Sequence, residues 1–176
     1  MKLSITHSKG FGKDDITFTE ENTDILLLPH KDILVISLIV LDFNIKRVLV
    51  DPGSSANIIQ WRVLEQAKLT GSIIPSTKLL AGFNLASVTT WGEILLLMNV
   101  GVMKKTLFEV VDGDVGYNII LGRPWLHEMK AIPSTYHQLL KFPMPGGIKQ
   151  IRGDQPTARE MNAILVSSRK GKEHVA

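Results

Sequence analysis

The sequence predicts an all-β protein whose strands close into a barrel, with one or two short helices. Short segments rich in Val, Ile and Leu recur along the chain and are separated by turn residues, whereas helical patterns are few. Many short strands with few helices favour a barrel over alternating βαβ units. Hydrophobic residues make up 44% of the 176 residues, which is enough for a packed core.

The individual elements follow from local patterns. Ile59, Val63 and Ala67 form a stripe at four-residue spacing, which predicts a helix over 57–69. Pro124 is suited to the first position of a second, short helix. The predicted strands are the Val-, Ile- and Leu-rich segments 33–41, 45–51, 78–82, 92–100, 105–111, 117–121 and 136–142.

Composition divides the chain into three expected parts. Residues 1–24 are polar and lack periodicity, which predicts a linker, and residues 25–145 carry the apolar segments of one domain. Residues 146–176 are expected to be a basic, flexible connector. From Lys149 onward the chain has six of its 20 Lys and Arg but three of its 17 acids, so residues 1–148 are balanced at 14 each. No aromatic residues interleave the basic ones, so we expect nucleic acid to contact this tail weakly at most.

Several functional classes are excluded by composition. The chain has no cysteine, which excludes disulfides, thiolate catalysis and Cys-ligated zinc and fits a reducing compartment. No signal-peptide pattern opens the sequence, and the longest apolar run, 33–41, is too short to cross a bilayer. We therefore expect an intracellular, cytoplasmic protein with no membrane partner.

Two metal-site patterns begin in the sequence and are not completed. The segment 112–114 starts like a calcium loop, but Arg123 stands where a bidentate Glu is required. His127-Glu128 starts a zinc-protease pattern, but residue 131 is Ala, so the second histidine ligand is missing. We expect neither a metal nor a cofactor.

The most specific feature is the turn at Asp51. An apolar strand at 48–50 runs directly into Asp51-Pro52-Gly53-Ser54, so that one carboxylate is presented at the end of a buried strand. The sequence contains one such turn and no internal repeat, so a pair of these carboxylates requires two copies of the chain. The ordinary alternative is an Asp that accepts hydrogen bonds from its own turn.

Three segments share their order and spacing with a known family. They are Asp-Pro-Gly-Ser-Ser at 51–55, the segment 82–92 that begins Gly-Phe and closes at Gly, and Ile-Ile-Leu-Gly-Arg-Pro-Trp-Leu at 119–126. Together they resemble the retropepsin-like aspartic protease domain in polyproteins of plant gypsy-type long-terminal-repeat retrotransposons. The resemblance covers about residues 24–160.

The resemblance implies a small closed barrel that is one half of a pepsin-like enzyme and dimerises about a two-fold axis. Asp51 would be the catalytic residue, paired with its copy across the axis. In the turn, Gly53 would direct its N–H to the carboxylates, and Ser54 would donate a hydrogen bond to an outer oxygen of Asp51. Pro52 departs from the family pattern, because the residue here usually carries a hydroxyl that bonds across the dimer, and proline has neither a hydroxyl nor an N–H.

The resemblance also implies two segments around the catalytic turn. A hairpin flap that closes over the substrate would include Gly82 and Phe83, with Trp91 beside it, and segments 78–82 and 92–100 are expected to be its arms. A structural segment next to the turn, the psi-loop, would consist of Ile120, Leu121, Gly122 and Arg123.

Two functions remain open. The first is an aspartic endopeptidase that cleaves a retrotransposon polyprotein with a water activated by an Asp51 dyad, and its partners would be a second copy of the chain and a polypeptide substrate. The alternative is an inactive protease-fold remnant that acts as a dimerisation or peptide-binding module.

Overall fold

The structure is a computed structural model, and its described residues fall into two compact units. It describes residues 5–7, 16–18, 32–77, 79–82, 85–113 and 116–161, with the backbone alone at 5–7, 79–82 and 85–89. The barrel unit is Ile36–Ala131, and the terminal unit combines Met1–Val35 with Ile132–Ala176.

Short strands dominate both units. The helices are α1 (Trp61–Gln66) and α2 (Arg123–Met129), with a 3-10 turn at Thr70–Ser72 and a helical stretch at residues 155–161. The strands are β1 (Ile5–His7), β2 (Ile16–Phe18), β3 (Val35–Val40), β4 (Phe43–Val50), β5 (Ile58–Gln60), β6 (Ile74–Pro75), β7 (Leu79–Gly82), β8 (Leu85–Thr89), β9 (Gly92–Asn99), β10 (Met103–Val111), β11 (Ile119–Leu121), β12 (Ile132–Ser134), β13 (Leu139–Met144) and β14 (Gly147–Arg152).

The barrel unit contains a closed barrel of six strands, which confirms the predicted fold class. Its strand order is β10-β5-β11-β4-β3-β9, and β9 pairs with β10 to close the barrel, while β6 adds to β9. The pairs β4–β11 and β5–β10 are parallel, and β11 is antiparallel to β5. Strand β11 therefore lies between β4 and β5, the two strands that flank the Asp51 turn in sequence.

Burial patterns explain why these segments form the barrel. Strand β9 alternates between buried and more exposed side chains, as expected where one face packs on the core and the other faces solvent. All three residues of β11 are buried, so both faces of this strand are covered. Trp125 of α2 is 1% exposed and belongs to the core, as do the buried Tyr117 and Phe108.

Two sequence-based predictions are wrong in detail. The helix expected over 57–69 is shorter, because Ile58–Gln60 forms β5 and pairs with both β10 and β11. These long-range pairings outweigh the local four-residue stripe. The hairpin expected from 78–82 and 92–100 is instead β7 with β8, in which Gly82 lies opposite Leu85. Strand β9 pairs with β10 and β6.

The terminal unit is a second, smaller assembly of strands. Strands β12, β13 and β14 form an antiparallel sheet, and β1 pairs with β2. Ile16 and Phe18, within the range expected to be a linker, pack with Leu139 in a hydrophobic cluster. The boundary expected between residues 145 and 146 falls inside the β13–β14 hairpin, where Met144 lies opposite Gly147.

No helix in the described part of the chain is both long enough and apolar enough to cross a membrane.

Candidate active site at the Asp51 turn

The barrel places Asp51 at the end of a buried parallel strand pair. Val48, Leu49 and Val50 of β4 are buried, and Val50 lies opposite Leu121 of β11. The Asp51 N–H donates to the Leu121 carbonyl at 2.9 Å, so the pairing continues one residue beyond β4. The position of the Asp51 backbone is therefore set by β11.

A tight turn follows and orients the Asp51 carboxylate. The Ser54 N–H donates to the Asp51 carbonyl at 3.1 Å, which closes a β-turn with Pro52 and Gly53 at its centre. The Gly53 N–H donates to Asp51 Oδ1 at 2.9 Å, the direction that the sequence predicted for this amide. An ordinary Asp turn forms the same bond, so this contact alone does not separate a catalytic Asp51 from a structural one.

Pro52 fits the backbone of this turn. It occupies the first central position, where the fixed φ of proline is already close to the value that the turn requires. Its missing N–H costs nothing here, because Pro52 is exposed and no turn bond needs a donor at this position. Pro52 therefore stabilises the turn locally, while it lacks the hydroxyl that the family usually carries.

The expected hydrogen bond from Ser54 to Asp51 is wrong for the single chain. The Ser54 Oγ donates to the Ala56 carbonyl at 2.7 Å and accepts the Ala56 N–H at 3.4 Å. Ser54 is 4% exposed, and the backbone two residues ahead offers the nearest acceptor for its buried hydroxyl. Its side chain thus stabilises the turn without contacting the carboxylate.

Gly122 packs tightly beneath the turn. A Cβ at this position would lie 2.3 Å from the Ala56 carbonyl oxygen and 2.8 Å from that of Ser54. The next residue, Arg123, donates its N–H to the Ser54 carbonyl at 3.0 Å, while its side chain is exposed. Close backbone approach therefore joins the start of α2 to the Asp51 turn. The two preceding residues, Ile120 and Leu121, are buried in β11.

Asn57 is a site residue that the sequence analysis missed, because the sequence placed it at the start of a helix. Its Oδ1 accepts the N–H groups of Gly122 at 3.0 Å and Trp125 at 3.4 Å. Its Nδ2 donates to the Leu107 carbonyl at 3.2 Å. Asn57 is 5% exposed, so a single buried amide connects β11, α2 and β10. The sequence carried one signal for this role, because Asn57 is a polar residue directly before the apolar Ile58 and Ile59.

Tyr117 is a second residue that sequence reasoning did not connect with the site. It is 1% exposed, and burial raises the pKa of its hydroxyl to about 12. The negative charge of Asp51 is the second cause of this raised pKa. The charge on Asp51 therefore contributes to the ionisation behaviour of Tyr117, which lies in the barrel core.

The three residues predicted for the flap do not all belong to the β7–β8 hairpin that the structure describes. Gly82 ends β7 and faces Leu85 of β8, and Phe83 lies outside the described residues. Trp91 follows the hairpin; its N–H donates to the Val110 carbonyl at 2.9 Å. Its ring, in a residue that is 55% exposed, lies 5.0 Å from the ring of Trp61 in α1. The indole pair thus lies where the chain leaves the hairpin and enters β9.

No group of three or more His, Asp or Glu side chains that could hold a metal ion occurs in the part of the chain that the structure describes.

Comparison with solved structures agrees with this architecture. The retroviral protease-like domain of Ddi1 from Leishmania major matches with a TM-score of 0.54 at 16% identity, over 69% of this chain and 92% of that one. A retropepsin-like aspartic protease from Rickettsia conorii matches with a TM-score of 0.44 at 15% identity, over 76% of this chain and 86% of that one. The EIAV protease in complex with an inhibitor matches with a TM-score of 0.43 at 18% identity, over 62% and 99%.

The match to the Leishmania domain shows that the chain has a retropepsin-like fold. At 16% identity it shows the fold alone. No protein-family model and no curated protein sequence matches this chain.

Proposed function

We propose that the chain is a retropepsin-like aspartic endopeptidase that works as a homodimer. The observation that carries this proposal is the position of Asp51. Its half-buried carboxylate stands on a tight turn at the end of β4, in a barrel with a retropepsin-like fold. The Gly53 N–H occupies one carboxylate oxygen, which leaves the other oxygen for a water or a second carboxylate.

A two-fold contact would supply the second carboxylate. Two Asp51 side chains about 3 Å apart would share one proton, because both cannot be ionised at that distance. The ionised member would accept a proton from a bridging water as that water attacks the peptide carbonyl. The protonated member would donate to the developing oxyanion, and the proton taken from the water would then pass to the leaving amine as the C–N bond breaks. The apparent pKa values would belong to the pair rather than to either residue.

The sequence resemblance supports a substrate of a particular origin. We propose that the natural substrate is the polyprotein of a plant gypsy-type retrotransposon, cleaved inside the cell. This part of the proposal rests on the order and spacing of the segments at 51–55, 82–92 and 119–126.

A second candidate is a dimerisation or peptide-binding module without activity. Pro52 favours it, because this exposed position lacks the hydroxyl that would bond across the two-fold axis. The Ser54 hydroxyl cannot substitute for it, since it is buried and donates to Ala56. The two candidates share the fold and differ in whether peptide bonds are cleaved.

The deciding experiment measures cleavage of a mixed peptide library by the purified chain at mildly acidic pH. Asp51→Asn is expected to lower the rate at least about 10³-fold, because the variant homodimer lacks both carboxylates of the dyad. Asp42→Asn is the matched control, because Asp42 is exposed in the turn between β3 and β4, at the opposite end of β4. It is expected to leave the rate unchanged.

The dimer requirement has its own measurement. Excess Asp51→Asn chain added to a fixed amount of the active chain is expected to reduce cleavage, because mixed dimers carry one catalytic carboxylate. Cleavage that is absent, or that survives Asp51→Asn, would reject the peptidase. A two-fold dimer that binds peptides but does not cleave them would favour the second candidate.

A further inference from the structure

We propose that Asn57 is a positioning residue that sets the place of the Asp51 carboxylate, an inference that rests on the proposed peptidase function. Asn57 does not touch Asp51. It acts through a short series of backbone hydrogen bonds within the barrel unit.

The series has two hydrogen bonds. Asn57 Oδ1 accepts the Gly122 N–H at 3.0 Å, and the neighbouring Leu121 carbonyl accepts the Asp51 N–H at 2.9 Å. One peptide unit, Leu121–Gly122, therefore faces Asn57 with its N–H and Asp51 with its carbonyl. A shift of this unit moves the backbone from which the Asp51 side chain extends.

The Asn57 side chain is itself fixed from both ends. Its Nδ2 donates to the Leu107 carbonyl at 3.2 Å, and its backbone carbonyl accepts the Glu109 N–H at 2.8 Å. Both partners belong to β10, which also pairs with β5. Rotation of the side-chain amide would break the Nδ2 bond to Leu107 and the Oδ1 bond to Gly122 in a site that is 5% exposed, where no bulk water can replace them. The amide thus links a rigid strand to the peptide unit beside Asp51.

Steric contact with the backbone of Ser54 and Ala56 leaves the Leu121–Gly122 unit little alternative space. The backbone of Gly122 approaches the Ser54 and Ala56 carbonyls too closely for a Cβ. Arg123 adds its own N–H bond to Ser54. The unit is therefore held between the Asp51 turn and Asn57, and Asn57 is the only side chain among these contacts.

Asn118, which directly precedes β11, provides a matched control. It precedes β11 at the end far from Asp51, and its Nδ2 donates to the Lys46 carbonyl at 2.7 Å. Its Oδ1 accepts a bond from Arg62 at 2.7 Å. Asn118→Ala thus removes an asparagine that also ties the β11 region to its neighbours, but does so away from the Leu121 carbonyl.

The test compares Asn57→Ala, Asn57→Asp and Asn118→Ala in the full chain. Amide exchange and chemical shifts are measured by NMR, with the Gly53 N–H reporting on Asp51 Oδ1. Asn57→Ala is expected to raise the exchange rate of the Asp51 N–H at least about tenfold and to move the Gly53 amide resonance. It is expected to lower kcat about 10²-fold with a small change in KM, as a misplaced catalytic group does. Asn118→Ala should leave all of these values near those of the native chain.

Asn57→Asp keeps an acceptor for the Gly122 N–H, loses the Nδ2 donor to the Leu107 carbonyl and adds a carboxylate, so it tests the Gly122 bond even if the alanine variant does not fold. We expect it to retain the Asp51 N–H protection and to shift the pH–rate profile upward, because added negative charge disfavours ionisation of the dyad. Unchanged Asp51 and Gly53 amides in Asn57→Ala, or equal changes in Asn118→Ala, would overturn the positioning role. If the native chain cleaves no peptide, the peptidase proposal fails, and the NMR comparison still decides whether Asn57 positions Asp51.

Discussion

The inner and outer sides of the Asp51 turn differ sharply in how they are held. The inner side, formed by Ser54, Asn57 and Gly122, is buried, and its polar groups bond to β10, β11 and the start of α2. The outer side, formed by Pro52 and Gly53, is exposed, and its side-chain bond is the one from Gly53 to Asp51 Oδ1.

One chain provides a fixed turn with one carboxylate, whereas the proposed reaction needs two carboxylates. The polar groups of the inner side already form their hydrogen bonds within the barrel unit of a single chain. The outer side presents a carboxylate and a fixed turn to whatever lies against it. A dimeric peptidase fits such an arrangement, because the fold can form in each chain before the two carboxylates meet.

The largest expected effect comes from adding one methyl group to the inner side. Gly122→Ala is expected to lower the free energy of unfolding by about 3 kcal/mol or more, because the Cβ would lie 2.3 Å from the Ala56 carbonyl oxygen. The backbone of Gly122 has φ −97, which alanine can adopt, so the effect is steric rather than conformational. Urea unfolding followed by circular dichroism measures the loss.

Gly53→Ala is the matched substitution on the outer side. Its Cβ would meet only Asp51 Oδ1 at 3.2 Å, so a small movement of the carboxylate relieves the contact. We expect a loss below about 1 kcal/mol, as for most exposed positions. Equal losses for the two variants would show that the inner side is no more tightly held than the outer side.

A smaller effect is expected at Pro52. Pro52→Thr and Pro52→Ala should each lower the stability of the single chain by about 0.4–1 kcal/mol, because both make the unfolded chain more flexible. Threonine also introduces a hydroxyl at this exposed position, so Pro52→Thr alone is expected to strengthen the proposed dimer. Sedimentation equilibrium compares the two dissociation constants. If threonine and alanine have the same effect on dimerisation, the hydroxyl has no partner there.

The outer side of the turn could be predicted from sequence because its signals are local. A β-branched strand followed by Asp-Pro-Gly-Ser specifies a turn within a few residues, and Asp51, Pro52 and Gly53 lie as that pattern indicates. The inner side could not be predicted in the same way. Ser54 bonds to Ala56, and Asn57 bonds to Gly122, which is far along the chain, and the sequence does not reveal these partners.

The same limit explains the two wrong elements. The apolar stripe that includes Ile59 fits a helix locally, but Ile59 lies opposite Ile119 in the barrel and belongs to β5. The sequence predicts that 78–82 pairs with 92–100, but Leu79 lies opposite Thr89 in a β7–β8 pair. In the terminal unit, Phe18 packs on Leu139, so its strand depends on a partner at the other end of the sequence. The pairing partner decides each case, and this partner is distant in sequence for Ile59 and Phe18 but adjacent in sequence for β7.

The smallest expected effect links the two sides through Tyr117. Tyr117 and Tyr136 are the two tyrosines of the chain, so in a Tyr136→Phe background the tyrosinate absorbance reports Tyr117 alone. We expect it to titrate at about 12, above the ordinary value of 10.0, chiefly because the hydroxyl is buried. Adding Asp51→Asn should lower this pKa only in part, since the Asp51 charge is the second cause and burial remains.

The sign of the associated stability change follows from the raised pKa. The unfolded chain loses the Tyr117 proton at lower pH than the folded chain, so the contribution to stability is fully present below pH 10.0 and is lost as the pH rises to about 12. Urea unfolding across this range, in Tyr136→Phe with and without Asp51→Asn, measures the loss. If Asp51→Asn leaves the Tyr117 pKa unchanged, the Asp51 charge does not reach the core.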